Sequence, residues 1–234
     1  MIEQVPAYIS IVFLITSFLT FGIFAYAIKR VGFDLLWSRL LLFLIPFWML
    51  FQAVFALSGF YLHVESIPPR LPIFAVLPAV VLIVVCFLTS SGRDFIEKLP
   101  LKSLTILHVI RIPVELTLAW LFEQGLIPQV MTFHGWNYDI LSGILSVIVT
   151  LLAFRGGKVN TKLLVAFNVI GLVLLTNIVT IAILAVQSPM QKLGFDQPNR
   201  GVLFFPYIWL PAMIVPIVLF CHLTSLWKLL KAGK

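Results

Sequence analysis

An arginine and a glutamate four residues apart, inside a long apolar run, are the groups best placed to do chemistry: the segment reads His108-Val-Ile-Arg111-Ile-Pro113-Val-Glu115. A charged side chain at the centre of a membrane helix costs about 2.5–3.5 kcal/mol on insertion scales, so such residues are normally paired, turned inward and often functional. At about 100° per residue, His108 and Glu115 fall roughly 20° from eclipsed, with Arg111 roughly 60° away. The three form one polar stripe. Arg111 suits a carboxylate or an anionic head group, and Glu115 a proton or a cation. At i and i+4 the two could instead neutralise each other and tie helices together without any ligand. Pro113 cannot donate to the Val109 carbonyl, so a kink is expected there, with that oxygen left for a partner or for water.

Other polar residues lie in neighbouring apolar runs. Trp136-Asn137-Tyr138-Asp139 opens one of them, and Asp139, with His134 and Asn137 before it, is a candidate for the outer mouth of a cavity. Ser142, Ser146 and Thr150 follow at helical spacing beside Gly143, the pattern of closely packed membrane helices. Asn168, Thr176, Asn177 and Thr180 share another run and Gln52 lies mid-way in a third, with interhelical hydrogen bonding and cavity lining as the alternatives. The candidate ligand-binding set is therefore Arg111, Glu115, His108, Asp139, Asn177 and Gln52. His108 and His222 have similar expected depths, a minimum for sharing a haem or metal, but no Cys cluster or carboxylate completes a shell. No cofactor, metal or catalytic set is expected. Neither a Gly-x-Ser-x-Gly elbow nor a phosphate loop is present, and Arg155-Gly-Gly-Lys158 reads as a basic turn.

The elements that must position these groups follow from composition. Of 234 residues, 61% are hydrophobic and only 11% charged, a balance that soluble domains of this length do not show. An all-α integral membrane protein is expected. Runs able to cross about 30 Å of hydrocarbon fall near 6–28, 40–62, 70–90, 103–123, 137–154, 161–187 and 201–227. They predict seven transmembrane helices in one bundle, a single domain over 1–234. The first run lacks a basic flank and a small-residue cleavage site, so a retained span is expected.

Charge sets the orientation. Twelve of the 16 Lys and Arg residues fall on one side: Lys29, Arg30, Arg39, Arg93, Lys98, Lys102, Arg155, Lys158, Lys162, Lys228, Lys231 and Lys234. Arg70, Lys192 and Arg200 fall on the other, so the N-terminus is expected outside and the C-terminus in the cytoplasm. The net charge of +7 is thus topological, and short basic clusters between apolar runs do not make a nucleic-acid face. Cys86 and Cys221 lack metal-type spacing and read as apolar filler.

Leu77-Pro78-Ala79 followed by Cys86-Phe-Leu-Thr-Ser90 is echoed by Leu210-Pro211-Ala212 and Cys221-His-Leu-Thr-Ser225, with a two-residue slip. Chance similarity between apolar helices competes here with a three-plus-one-plus-three repeat around the stripe-bearing helix. Pro206, Pro211 and Pro216 should bend the last run strongly.

At Met131-Thr-Phe-His-Gly-Trp-Asn137-Tyr-Asp139-Ile-Leu-Ser-Gly143, Phe195-Asp-Gln-Pro-Asn199, Phe204-Phe-Pro206 and Trp209-Leu-Pro211, the chain resembles an uncharacterised family of small bacterial seven-span membrane proteins. The resemblance covers roughly residues 103–225. It implies a bacterial origin and a single-domain bundle, names no activity and supplies no catalytic residues. The span number is also similar to that of sugar-transporting and rhodopsin-like bundles, but Pro128-Gln129 falls in an outer loop and the last run has no interior lysine for retinal.

The expected function is binding and transport of a small molecule, ion or lipid at a mid-membrane polar site, in the bacterial inner membrane. The partners expected are the lipid bilayer and that ligand, with homo-oligomerisation open and no nucleic acid. One alternative is a membrane-embedded enzyme acting on lipid with Glu115 as general base. Another is a structural or assembly subunit of a larger membrane complex.

Overall fold

The computed structural model describes residues 5–189 and 191–232. Among the described residues it is built from helices: α1 (Ala7–Val31), α2 (Leu36–Leu57), α3 (Leu77–Leu88), α4 (Ser90–Lys98), α5 (Leu101–Leu107), α6 (Arg111–Glu123), α7 (Ile140–Ala153), α8 (Thr161–Ala185) and α9 (Val215–Ala232). A 3-10 turn, His108–Ile110, joins α5 to α6 into one continuous rod, and π-helical turns, Pro72–Val76 and Leu210–Ile214, precede α3 and α9.

Among the described residues, five helices are long and apolar enough to cross a membrane: α1, α2, Leu101–Glu123, α8 and Leu210–Lys231. A sixth crossing arises if Pro72–Leu88 and Ser90–Lys98, bent by 91° at their junction, count as one span. The expected run 137–154 is a helix of only 14 residues, α7. Two thirds of the apolar windows of Leu101–Glu123 and Leu210–Lys231 are buried, against about a third in α1, α2 and α8, so those two rods are central. Around them α8 packs on α9 and α7, while α1 packs on α5 and α6.

Prolines leave backbone carbonyls open inside these rods, and side chains from α2 fill them. Pro78 has no N–H for the Phe74 carbonyl four residues back, and Gln52 Nε2 donates to that oxygen at 2.8 Å. Pro216 leaves the Ala212 carbonyl in the same way, and Trp48 Nε1 donates to it at 3.0 Å. Each freed carbonyl lies inside a π turn with its proline just beyond it, which pairs Pro78 with Pro216 rather than with Pro211, its match in the residue pattern of the two similar segments.

They part at the threonine. Thr89 is extended, with ψ of 146°, and its Oγ1 accepts from the Gly92 amide at 3.2 Å, capping α4 in a new direction. A Cβ on Gly92 would lie 2.0 Å from the Cys86 carbonyl, so the bend requires glycine. Around Thr224, where no such glycine follows, α9 runs on. Lys228 Nζ then donates to the Leu99 carbonyl and Lys231 pairs with Glu97, tying the end of α9 to the α4–α5 corner.

Candidate functional site

The α5–α6 rod presents His108, Arg111 and Glu115 to the interior, and all three are buried. The 3-10 turn explains part of this. It falls where Pro113 deprives the Val109 carbonyl of its donor, and within it the Arg111 amide turns to the His108 carbonyl.

The guanidinium of Arg111 binds groups from three other helices. Its ion pair is with Asp139, Nη2 to Oδ1 at 2.7 Å, rather than with Glu115. Nη1 donates to Ser142 Oγ at 2.5 Å and, more distantly, to the Gly171 carbonyl at 3.4 Å and His222 Nε2 at 3.3 Å. A guanidinium has no lone pair, so His222 Nε2 is the acceptor and its proton sits on Nδ1, which donates to Asn168 Oδ1 at 2.9 Å. Asn168 is fixed in turn by its own donation to the Leu164 carbonyl.

Two glycines let these groups meet. A Cβ on Gly171 would stand 2.3 Å from His222 Cε1, and one on Gly143 would stand 2.8 Å from Ile112 Cγ1. The loop before α7 is as tight. An added Cβ on Gly135 would lie 2.3 Å from the Gln129 carbonyl, and this compact turn delivers Asn137 and Asp139 into the interior. Asn137 Nδ2 donates to Glu115 Oε2 at 2.6 Å and to the Met131 carbonyl at 2.9 Å, while its Oδ1 accepts from the Asp139 amide at 3.0 Å. Asn137 therefore holds both carboxylate-bearing segments in register.

His108 is the anomaly. Its ring stacks on His222 with centroids 3.8 Å apart and planes 18° from parallel, yet neither of its nitrogens has a hydrogen-bond partner among the described residues. Among those residues no group of three or more His, Cys, Asp or Glu is placed to hold a metal.

Glu115 and Asp139 line one cavity of about 220 Å³. Tyr61 and Asn199 lie along it, Leu118, Leu175 and Ile178 supply apolar wall, and its lining extends to exposed His63. The π turns contribute Pro72 and Leu210. A second cavity of about 310 Å³, between α2, α3 and α9, is apolar throughout, and its two tryptophan N–H groups are engaged by Ser91 and Ala212.

Four of the six sequence candidates, Arg111, Glu115, His108 and Asp139, thus converge on one cluster. Gln52 stands apart from Arg111: it repairs Phe74 and accepts from Tyr61 Oη at 2.5 Å, behind the cavity wall. Asn177 donates to the Trp136 carbonyl at 2.8 Å, steadying the loop before α7. The cluster recruits Asn137, Ser142, Asn168 and His222, whose polar types inside apolar runs were a visible signal, though Ser142 and Asn168 fit a packing role equally well. Gly171 and Tyr61 carried no signal, because a glycine in a long helix and a tyrosine at a helix end are commonplace.

A family model described as "Domain of unknown function (DUF8737)" matches residues 68–230. No curated protein and no solved structure matches the chain.

Proposed function

Because the chain belongs to the DUF8737 family, whose description assigns no activity, we propose a function from the site alone: binding of a small molecule, ion or lipid in the cavity at Glu115 and Asp139, and its passage across the membrane. The observation that carries this reading is the union in one cavity of two buried carboxylates, apolar walls and the two π turns. Ligand sites combine apolar walls with a few convergent polar groups. π-Helical turns concentrate at functional positions in helices. Here they are the points at which the α3 and α9 rods can flex against the cavity.

The topology that accompanies this proposal has seven spans in one domain in the bacterial cytoplasmic membrane, with the N-terminus outside. Helix α7 is the short fifth span, about 21 Å long at 1.5 Å per residue. It falls short of the hydrocarbon thickness by about 9 Å, so Asp139 at its start sits within the bilayer rather than at its surface. Irregular backbone is tolerated at that depth only where protein buries it or a wet cavity meets it. On this topology the cavity opens outward, because His63, Arg70 and Gln187 in its lining belong to the outer loops.

The general-base alternative gains no partner from this geometry. Among the described residues no hydrogen bond joins Glu115 to a second titratable group, its one bond going to Asn137.

Cysteine accessibility tests the proposal. With Cys86 and Cys221 replaced by alanine, Glu115→Cys and Leu118→Cys are expected to react with a charged, membrane-impermeant thiol reagent added from the outside. A transporter also exposes them to reagent added from the inside. If neither position reacts from either side while His63→Cys reacts fully, the cluster is structural and the proposal is wrong.

A further inference from the structure

Resting on that reading of the cavity, we infer the class of its ligand: a monovalent organic cation with an apolar body, an alkyl- or cycloalkylammonium, held at Glu115 and Asp139. The argument begins with what the cavity is shown and what is hidden from it. Arg111 does not line it; the guanidinium is turned to Asp139, Ser142, Gly171 and His222. At the inner end of the cavity an anion would face the two carboxylates rather than the Arg111 guanidinium. Arg70, the arginine that does line it, lies over the Phe60 ring at 4.6 Å and donates to the Phe60 carbonyl.

Glu115 supplies the second, independent observation. Only 1% of it is exposed, and Oε2 is taken by Asn137, but no hydrogen bond reaches Oε1 among the described residues. Glu115 lines the cavity, and Oε1 is not one of the buried atoms closed off without a partner, so this oxygen is open to accept from a ligand there. An ammonium N–H donates to it directly and forms a charge-assisted bond.

Charge balance points the same way. With both carboxyls ionised, Glu115 and Asp139 face a single guanidinium, and the cluster then carries one excess negative charge where charge is expensive. A bound monovalent cation cancels it; a bound anion doubles it. A bare metal cation fits less well, because Ca²⁺ or Mg²⁺ asks for six or more oxygens and the walls here are Leu118, Leu175 and Ile178. Those walls suit a hydrocarbon body. Tyr61, whose hydroxyl is engaged by Gln52, adds an aromatic ring to the lining, the surface that cations prefer among apolar ones. The volume of 220 Å³ corresponds to about seven waters at ~30 Å³ each, enough for a six-carbon ring and its substituent.

The test uses three probes of one shape: cyclohexylammonium, cyclohexanol and cyclohexanecarboxylate, each radiolabelled. Equilibrium binding is measured on the full chain in nanodiscs, with empty nanodiscs subtracted for partitioning. Cyclohexylammonium is expected to bind about tenfold or more tighter than the other two, a difference of one strong contact, and Glu115→Gln is expected to remove that preference. Leu118→Trp, which fills the cavity without touching charge, is expected to abolish binding even if Glu115→Gln folds poorly, and exposed Glu97→Gln is expected to change nothing. If the alcohol or the carboxylate binds as well as the ammonium, or if Glu115→Gln leaves the preference intact, the cation assignment is overturned and the cavity reading survives. If no probe binds above empty nanodiscs, or Leu118→Trp binds normally, both are overturned.

Discussion

Replacing Arg111 with methionine removes the hub of the polar cluster, and the cost follows from what is left behind. The Arg111 and Asp139 side chains are only 3% and 7% exposed, so the aspartate cannot recover its lost partner from bulk water. Ser142 and His222 lose a donor at the same time. Removing one member of a buried ion pair costs about 3–5 kcal/mol, because the other stays buried and uncompensated. For a chain of this length each kcal/mol moves the midpoint of thermal unfolding by about 2–4 °C, so Arg111→Met should lower Tm by roughly 6–20 °C. Asp139→Asn should fall at the lower end of that range, since Glu115 remains as a counter-charge on the next turn of α6. Combining Arg111→Met with Asp139→Leu removes both charges and substitutes apolar volume, which is often neutral or stabilising. The double variant should therefore unfold at a higher temperature than Arg111→Met alone. Recovery stays partial because Glu115 is still there. Thermal unfolding of the wild type, Arg111→Met, Asp139→Leu and the double variant in one detergent closes the double-mutant cycle. If Arg111→Met unfolds with the wild type, or if the two losses simply add, the 2.7 Å pair is not what joins α6 to α7.

Three further outcomes follow from individual contacts. Gly171→Ala places a methyl 2.3 Å from His222 Cε1, so the ring must swing away from Arg111 and Asn168; a fall in Tm of several degrees is expected, along with loss of the Nδ1 proton signal of His222 in NMR, and an unchanged signal would show that α8 simply moves aside. His108→Leu removes two unpartnered buried nitrogens, each a liability of about 1–3 kcal/mol, so it should be neutral or raise Tm; a drop beyond what the lost contact with His222 explains would show that His108 has a partner. At the α4 corner, the hydrogen bond and charge of Lys231 hold the Glu97 carboxyl below its ordinary value of 4.5. The depressed value means that the contact's contribution is present above pH 4.5 and is lost as pH falls through the lowered value. A carboxyl NMR titration of Glu97 should return to the ordinary midpoint in Lys231→Met, and an identical midpoint in both proteins would refute the contact.

The presence of a polar centre was legible in the sequence because an arginine and a glutamate inside an apolar run are too costly to be accidental. Its wiring was not. Spacing of i and i+4 nominates Glu115 as the partner of Arg111, whereas the short α7 and the tight turn before it bring Asp139 to Nη2 instead. Helical periodicity within one segment carries no information about where a neighbouring helix begins. The same limit applies to Gln52, whose mid-run position suits a ligand group as well as a structural one. Only the fold shows that it answers the carbonyl left open by Pro78. Prolines were readable as bends, but the residues that satisfy the freed carbonyls, Gln52 and Trp48, come from another helix and leave no mark near the proline. Five of the seven long apolar runs match helices able to span among the described residues, while the run 137–154 holds only the short α7. The run through 70–90 did not reveal how sharply the chain turns after it, because Thr89 and Gly92 act together through a contact with Cys86.

The claim on which everything else rests is that the cavity at Glu115 and Asp139 is a working ligand site rather than a packing defect. The most direct measurement is a side-chain-resolution map of the protein purified from its native membrane. A non-protein feature within hydrogen-bond distance of Glu115 Oε1, bounded by Leu118 and Ile178, is the predicted result. An empty space closed by those side chains, with Glu115 Oε1 bonded to a protein donor, would contradict it.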